Sequence, residues 1–115
     1  MTRASYSAQA PDLEALLDGA AATAGLDLRL HPCLEMPLTS DHLVFHGRSI
    51  PAIHFFSGFH SDYNRPGDQP QKLEYSNLLL VAQTAAELAF QLADTPETPA
   101  FDETITEVGG RTDPF

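Results

Sequence analysis

Segments with the periodicity of strands alternate with segments that have the periodicity of helices along this chain of 115 residues. Alternation of this kind is typical of an α/β fold, in which helices pack on a sheet. The length suffices for one domain with one ordinary core. Numbered by residue, the predicted order is strand 2–9, helix 11–24, strand 26–30, a short helix after Ser40, buried strand 50–56, loop 57–71 and helix 75–93.

Two helices have the clearest signals. Pro11 suits the first position of a helix, where its missing N–H costs nothing, and Gly25 is placed to end that helix. Leucines and alanines share one face of each helix and are expected to pack on the sheet. These residues are Leu13, Leu16, Leu17, Ala20 and Ala24 in the first, and Leu78, Leu79, Ala82, Ala86, Ala89 and Leu92 or Ala93 in the second.

The connecting segments are marked by prolines, glycines and one capping residue. Pro32 and Pro37 predict a loop over residues 31–39, and Ser40 is a good N-cap for the short helix that follows it. Residues 57–71 contain two prolines and two glycines, so a long irregular loop is predicted there. Loops of that length are commonly functional.

Charge excludes several classes of partner. Six Lys and Arg residues stand against sixteen Asp and Glu residues, which gives a formal net charge of −10. Nucleic acids and anionic membranes are polyanions, so neither is expected to bind. No apolar stretch approaches the ~18 residues of a membrane span, and residues 1–10 are too polar for a signal peptide.

The acidic residues are concentrated at one end of the chain. Residues 94–115 contain six acids and one base, so a mobile acidic tail is predicted after a domain at residues 1–93. The single cysteine, Cys33, excludes an internal disulfide and a zinc site built from several thiolates. The cytoplasm is therefore the default compartment.

Five histidines suggest a metal site, namely His31, His42, His46, His54 and His60. The spacing of His42 and His46 would place both on one helix face, but no glutamate follows His42 as in the H-E-x-x-H motif. His54 lies in the predicted buried strand, where a hydrogen-bonded core histidine is the expected role. The spacing therefore favours structural histidines over ligands.

The loop segment 60–68, HSDYNRPGD, carries the densest set of reactive groups in the chain. It follows a predicted buried strand, and ligands of open α/β sheets bind beyond the carboxyl ends of strands. The Tyr63 phenol could donate a hydrogen bond to a developing oxyanion. A surface loop held by prolines and Asx-turns fits the same composition equally well.

The motifs SDHLVF at 40–45, IPAI at 50–53 and FFSGFHSDYNRPGD at 55–68 occur in that order. Together they resemble the C-terminal part of the co-catalytic zinc aminopeptidases of clan MH, of the bacterial leucyl aminopeptidase and aminopeptidase Y type. The usual order of sequence motifs in that family is S-D-H-x-x-F, then G-I-P-A, then F-F-T-G-x-H-x-D-Y-H-x-P-x-D. The resemblance covers about residues 13–93 and implies the C-terminal portion of an α/β/α sandwich with a mixed sheet.

The resemblance also implies a chemistry. Two zinc ions in that family polarise the scissile carbonyl and activate a bridging water, which a glutamate deprotonates. Tyr63 stands where the family has a tyrosine that supports the oxyanion. Ser40, Asp41, His42 and Asp68 would lie beside the site in supporting roles. The expected substrate is a peptide that loses its N-terminal residue.

Two differences from the family pattern bear on whether this chain can bind zinc and hydrolyse peptides. Asn64 stands at the position of the family's final histidine ligand, and an amide oxygen is a poor zinc ligand. In that family, other ligands and the general base belong to H-x-D and Glu-Glu motifs of the N-terminal half. The chain has no Glu-Glu pair, and its H-x-D triplet at 60–62 belongs to the family's later H-x-D-Y motif. We therefore expect the chain to be inactive alone and to hold no stoichiometric zinc.

Two other functions stay open. An incomplete sandwich would have an open sheet edge and an uncovered apolar face, so the chain could be a non-catalytic module that binds a second copy or another partner. The related zinc glutaminyl cyclases share the fold, but they match the D-Y-x-x-P-x-D loop less well.

Overall fold

The computed structural model describes residues 2–33, 40–105 and 113, and these residues form an α/β fold. The prediction of the fold class is confirmed. The elements in chain order are β1 Thr2–Tyr6, α1 Pro11–Ala24, β2 Leu28–Pro32, α2 His42–His46, β3 Ile53–Phe56 and α3 Tyr75–Asp94, with a 3-10 turn at Pro70–Lys72. No helix in the described part of the chain is long and apolar enough to cross a membrane.

The sheet is mixed, as predicted, and β1 is its central strand. The strand order is β2-β1-β3, with β1 parallel to β2 and antiparallel to β3. Tyr6 lies opposite Ile53 and Ala4 opposite Phe55, so these four side chains share one face. That face packs on α1 and α3 and contains the apolar core. The other face carries Ser5, His54 and Phe56, and α2 packs against it.

The helix α1 follows its sequence signals closely. Pro11 occupies its first turn, and Gly25 ends it in the left-handed conformation with φ 78°. The Leu26 N–H donates to the Ala21 carbonyl at 2.9 Å, which satisfies a carbonyl group at the end of the helix. Leu13 and Leu17 are buried, as expected.

The predicted packing face of α3 is wrong except at Leu92, which packs on the core. Leu78 and Leu79 are 50% and 57% exposed, whereas Thr84 and Leu88 on the opposite side are 0% and 6% exposed. This helix has apolar residues on both sides, and the side that contains Leu80, Val81, Leu88 and Leu92 packs on the core. The Thr84 hydroxyl donates to the Leu80 carbonyl at 2.8 Å, so its burial leaves no donor unpaired.

The bounds of all three strands differ from the predictions, and β2 begins at Leu28 instead of residue 26. β1 ends at Tyr6 instead of residue 9, and β2 includes His31 and Pro32, which were predicted to lie in a loop. Proline is tolerated at the end of an edge strand because no ladder bond needs its N–H. The Cys33 N–H continues the ladder by donating to the Tyr6 carbonyl at 2.8 Å. The remainder of that predicted loop, residues 34–39, lies outside the described residues.

β3 is shorter and more exposed than predicted. It begins at Ile53 instead of residue 50, and all four of its residues are half-buried. An edge strand is covered by a neighbouring strand on one side only, which explains the partial exposure. The N-cap prediction is also wrong, because Asp41 precedes α2 and no side chain caps it. The Ser40 carbonyl instead accepts from the Leu43 N–H at 3.1 Å.

Some residues after α3 contact the domain. The Asp102 N–H donates to the Gln9 carbonyl at 2.8 Å, and the Ser49 hydroxyl donates to Glu103 at 2.6 Å. Asp113 bonds twice to Leu30 on the outer edge of β2, through its N–H and its carboxylate, both at 2.9 Å. The prediction of a mobile tail from residue 94 stays a prediction.

Candidate functional site

The loop that follows β3 is held by a series of turns. Main-chain bonds join Tyr63 to His60 at 3.0 Å and Arg65 to Asp62 at 2.9 Å. Lys72 Nζ donates to Asp62 Oδ2 at 2.8 Å and so ties the start of the loop to its end. The long loop is confirmed, and main-chain turns and this ion pair stabilise it.

Two positions in this loop adopt a positive φ. Gly58 has φ 110°, and a Cβ atom there would lie 3.4 Å from an Arg3 guanidinium nitrogen. Asn64 has φ 55°, and asparagine tolerates this left-handed conformation better than most residues. The residue at the family's ligand position therefore occupies an exposed turn.

Aromatic rings form a continuous row from the buried histidine of α2 to Tyr63. The ring centroids of His42 and His54 are 4.6 Å apart with an interplanar angle of 7°. His54 and Phe56 follow at 6.3 Å, Phe56 and Phe59 at 5.1 Å, and Phe59 and Tyr63 at 5.0 Å. Tyr63 is 42% exposed, so the row ends at solvent. The sequence did not indicate this row, because its members belong to α2, β3 and the loop.

A cleft of about 540 Å³ lies between the end of β3, the loop and the start of α3. Its polar lining includes His60, Asp62, Asp68, Lys72 and Glu74. His60 Nε2 is 3.9 Å from Asp68 Oδ2. The cleft thus brings Asp68 together with other polar residues of the loop, whereas Ser40, Asp41 and His42 are not among its lining residues.

Ser40, Asp41 and His42 lie at the opposite end of the aromatic row from Tyr63. Ser40 and Asp41 are exposed, and His42 is buried against the sheet. His42 Nε2 lies 3.2 Å from the Ser5 hydroxyl. Burial lowers the pKa of His42, the charges of His54 and His46 lower it further, and Asp41 opposes the shift. His42 therefore favours its neutral form.

Ser5 of β1 and Ser7, which directly follows that strand's end at Tyr6, pair with the two histidines of α2. The sequence analysis missed this arrangement. Ser7 Oγ lies 2.9 Å from His46 Nδ1 and also accepts from the Ala52 N–H at 3.0 Å. Serines two apart on a strand share a face, and histidines four apart share a helix face. That matched spacing was the signal that could have identified the pairing.

The described residues do not form a metal site. No group of three or more His, Cys, Asp and Glu side chains in this part of the chain could hold a metal ion. The rings of His42 and His54 are stacked nearly parallel, and His46 Nδ1 is engaged by Ser7. Cys33 is buried. The residues of the described ranges therefore do not fit zinc, and none of them is assigned as a metal ligand.

Comparison with known proteins gives one match. The sequence profile described as peptidase family M28 matches residues 2–89, which is more than half of the chain. No curated protein and no solved structure matches. The matched residues include the whole sheet, the loop after β3 and most of α3.

Proposed function

The chain belongs to peptidase family M28, and on this premise we propose that it forms the substrate side of a metallopeptidase site that releases N-terminal residues from peptides. The finer assignment, to the bacterial leucyl aminopeptidase and aminopeptidase Y type, is part of the proposal. Residues 1–93 would form the peptidase-like domain, residues 94–115 would form an acidic tail, and the cytoplasm is the proposed compartment.

The observation that carries this proposal is the position of Tyr63 at the exposed end of the aromatic row. Phe59 stands edge-on to Tyr63 at 5.0 Å, and His60 does so at 6.2 Å. Packed rings restrict the orientation of the phenol while leaving it open to solvent. A positioned phenol can donate a hydrogen bond to an oxyanion that develops on a carbonyl group.

The supporting residues would act at a distance from the reacting carbonyl. His42 packs on His54 and so fixes one end of the aromatic row. Asp68 lies in the cleft with His60 and would contribute to its electrostatics. Ser40 and Asp41 lead into α2 and would position His42. None of these residues is proposed to react.

The chain alone is proposed to be inactive. A family enzyme is generally zinc-dependent, and no described cluster of side chains fits a metal ion. Metal ligands and a general base would therefore have to come from outside the described part of the chain. Peptide hydrolysis would require a site that both sets of residues complete.

A chimaera tests the proposal. Residues 2–94 of this chain would replace the corresponding part of an active M28 aminopeptidase, with either Asn64 or Asn64→His. We expect the Asn64→His chimaera to hydrolyse a leucyl chromogenic amide and the Asn64 chimaera to be much weaker. In the active chimaera, Tyr63→Phe should lower kcat by about 10²–10³-fold with little change in KM.

The controls separate failure of folding from failure of the proposal. Circular dichroism and zinc content show whether each chimaera is folded and loaded. A folded, loaded Asn64→His chimaera whose kcat does not change with Tyr63→Phe would contradict the role of Tyr63. Hydrolysis by the 115-residue chain alone would contradict its inactivity.

A second function is favoured by the exposed apolar side of α3. Tyr75, Leu78, Leu79 and Phe90 on that helix are each at least half exposed. Large contiguous apolar patches mark interaction sites on soluble proteins. A non-catalytic module that binds a second copy or another protein would use such a surface. Sedimentation of a strict monomer at all concentrations would count against self-association.

A further inference from the structure

The strand β3 presents free backbone groups along its outer edge. In an antiparallel pair, residues alternate between positions that exchange hydrogen bonds and positions that do not. The Ser7 N–H donates to the Ala52 carbonyl at 3.1 Å, which fixes the phase of this alternation. His54 and Phe56 therefore bond to β1, whereas Ile53 and Phe55 direct their N–H and C=O groups away from it.

The two edges of the sheet differ. On the β2 edge, Asp113 satisfies both backbone groups of Leu30 at 2.9 Å. On the β3 edge, no described segment of the chain pairs with Ile53 or Phe55. The β3 edge is thus the side at which a further strand can be added.

An apolar cleft adjoins this edge. Phe55 and Phe56 of β3 line it together with Leu73, Leu78 and Val81 from the segment that leads into α3 and from α3 itself. Its volume of about 540 Å³ gives room for several side chains. A strand added to β3 would direct alternate side chains to opposite faces of the sheet, and those on the core side would enter this cleft.

The negative charge of the residues that line the cleft favours a positively charged segment as the added strand. The lining contains the carboxylates of Asp62, Asp68 and Glu74 against one lysine, Lys72, which is bonded to Asp62 at 2.8 Å. Three carboxylates against one lysine give these side chains an excess of negative charge. A second copy of the chain would bring another net charge of −10 to this surface. Like charges repel, so a cationic segment is favoured over self-pairing.

We propose that the outer edge of β3 binds an extended cationic peptide segment with alternate apolar side chains by strand addition. Main-chain bonds to Ile53 and Phe55 would supply the register, and the apolar cleft would take side chains on one face. Lysine or arginine side chains of the segment would pair with Asp68 and Glu74. This interaction needs neither a metal nor hydrolysis, so it stands apart from the proposed peptidase function.

The test uses the full chain and a labelled peptide, acetyl-Lys-Val-Thr-Val-Thr-Lys-amide. Binding is followed by fluorescence anisotropy, and amide hydrogen exchange is followed by NMR. We expect the peptide to slow exchange at Ile53 and Phe55 by about ten-fold or more, with little change at His54, which already bonds to β1. A peptide with proline at alternate positions should not bind, because proline has no N–H.

Two matched comparisons test the charge. Replacing both lysines of the peptide by glutamate should weaken binding by more than ten-fold. Glu74→Gln should weaken binding of the lysine peptide by roughly 2–5-fold, the effect of one exposed ion pair, whereas Asp94→Asn, the same charge change at the far end of α3, should not.

Several outcomes would overturn the proposal. Binding without protection of Ile53 and Phe55 would place the peptide elsewhere. Equal binding of the proline or glutamate peptides would exclude strand addition or charge selection. Protection of the same amides in the protein alone at high concentration would show that a second copy occupies the edge.

Discussion

The orientation of α3 predicts that two identical substitutions on this helix will differ greatly in their effect. Leu88 is 6% exposed and packs on the core, whereas Leu79 is 57% exposed on the opposite side. Leu88→Ala and Leu79→Ala remove the same atoms and change helix propensity equally. Any difference between them therefore reports packing.

The magnitude follows from the burial of each side chain. Leu88→Ala should lower the free energy of unfolding by about 3 kcal/mol, because it removes buried methyl groups and leaves a cavity. Leu79→Ala should change it by no more than about 0.5 kcal/mol. A domain of this length has a total stability of roughly 6–17 kcal/mol, so the first loss is large.

Urea unfolding followed by circular dichroism measures both effects. With an m-value of about 1–3 kcal/mol/M, Leu88→Ala should move the midpoint by about 1–3 M, and Leu79→Ala should move it little. Equal losses, or a larger loss for Leu79→Ala, would refute the assigned orientation. The face predicted from the sequence would then be the one that packs.

Three other predictions concern His42, two glycines of the α1 region and the binding of zinc. Because the pKa of His42 is lowered in the folded protein, the unfolded chain takes up its proton first. The contribution of His42 to the free energy of unfolding should thus be full above about pH 6.5 and should fall as the pH drops toward the lowered pKa. In urea unfolding, His42→Gln should reduce the dependence of the free energy of unfolding on pH, and an unchanged dependence would contradict this. Gly25 has φ 78°, so Gly25→Ala should lower the free energy of unfolding by about 1–2 kcal/mol. A Cβ atom at Gly19 would have no atom within 4 Å, so Gly19→Ala should raise it by about 0.5–1 kcal/mol. Thermal unfolding in the reverse order would contradict the left-handed conformation of Gly25. Atomic absorption should find less than one zinc per chain in both the wild type and Asn64→His, and stoichiometric zinc in either would contradict the absence of a metal site from the described residues.

Local signals in the sequence determined most of the secondary structure. Pro11 and Gly25 marked the ends of α1 because their backbone preferences act at single positions. The face of α3 could not be predicted in the same way. Leu79 and Leu88 lie on opposite sides of an apolar helix, so periodicity alone could not decide which side packs.

The candidate site was predictable only in part. The turn residues of the loop gave its location, and Tyr63 was identified from its motif. The pairs Ser5 with His42 and Ser7 with His46 join residues 37 and 39 positions apart in sequence. Contacts at that separation depend on the packing of α2 against β1. The matched spacing of the two serines and the two histidines permits the pairing, but it does not show that the two elements meet. The exposure of β3 likewise depends on which strands neighbour it.

The central position of β1 also constrains how the chain can fold during its synthesis. The partner of Tyr6 in β3, Ile53, is made 47 residues after it. At ~5–20 residues per second, β1 would wait roughly 2–10 s for that neighbour to be translated. The unit formed by β1, α1 and β2 can assemble sooner, because its parallel partners lie closer in sequence. The nascent chain is therefore expected to form this unit first and to add β3 and α3 to it later, a two-step order that pulse-labelled stalled ribosomes could reveal.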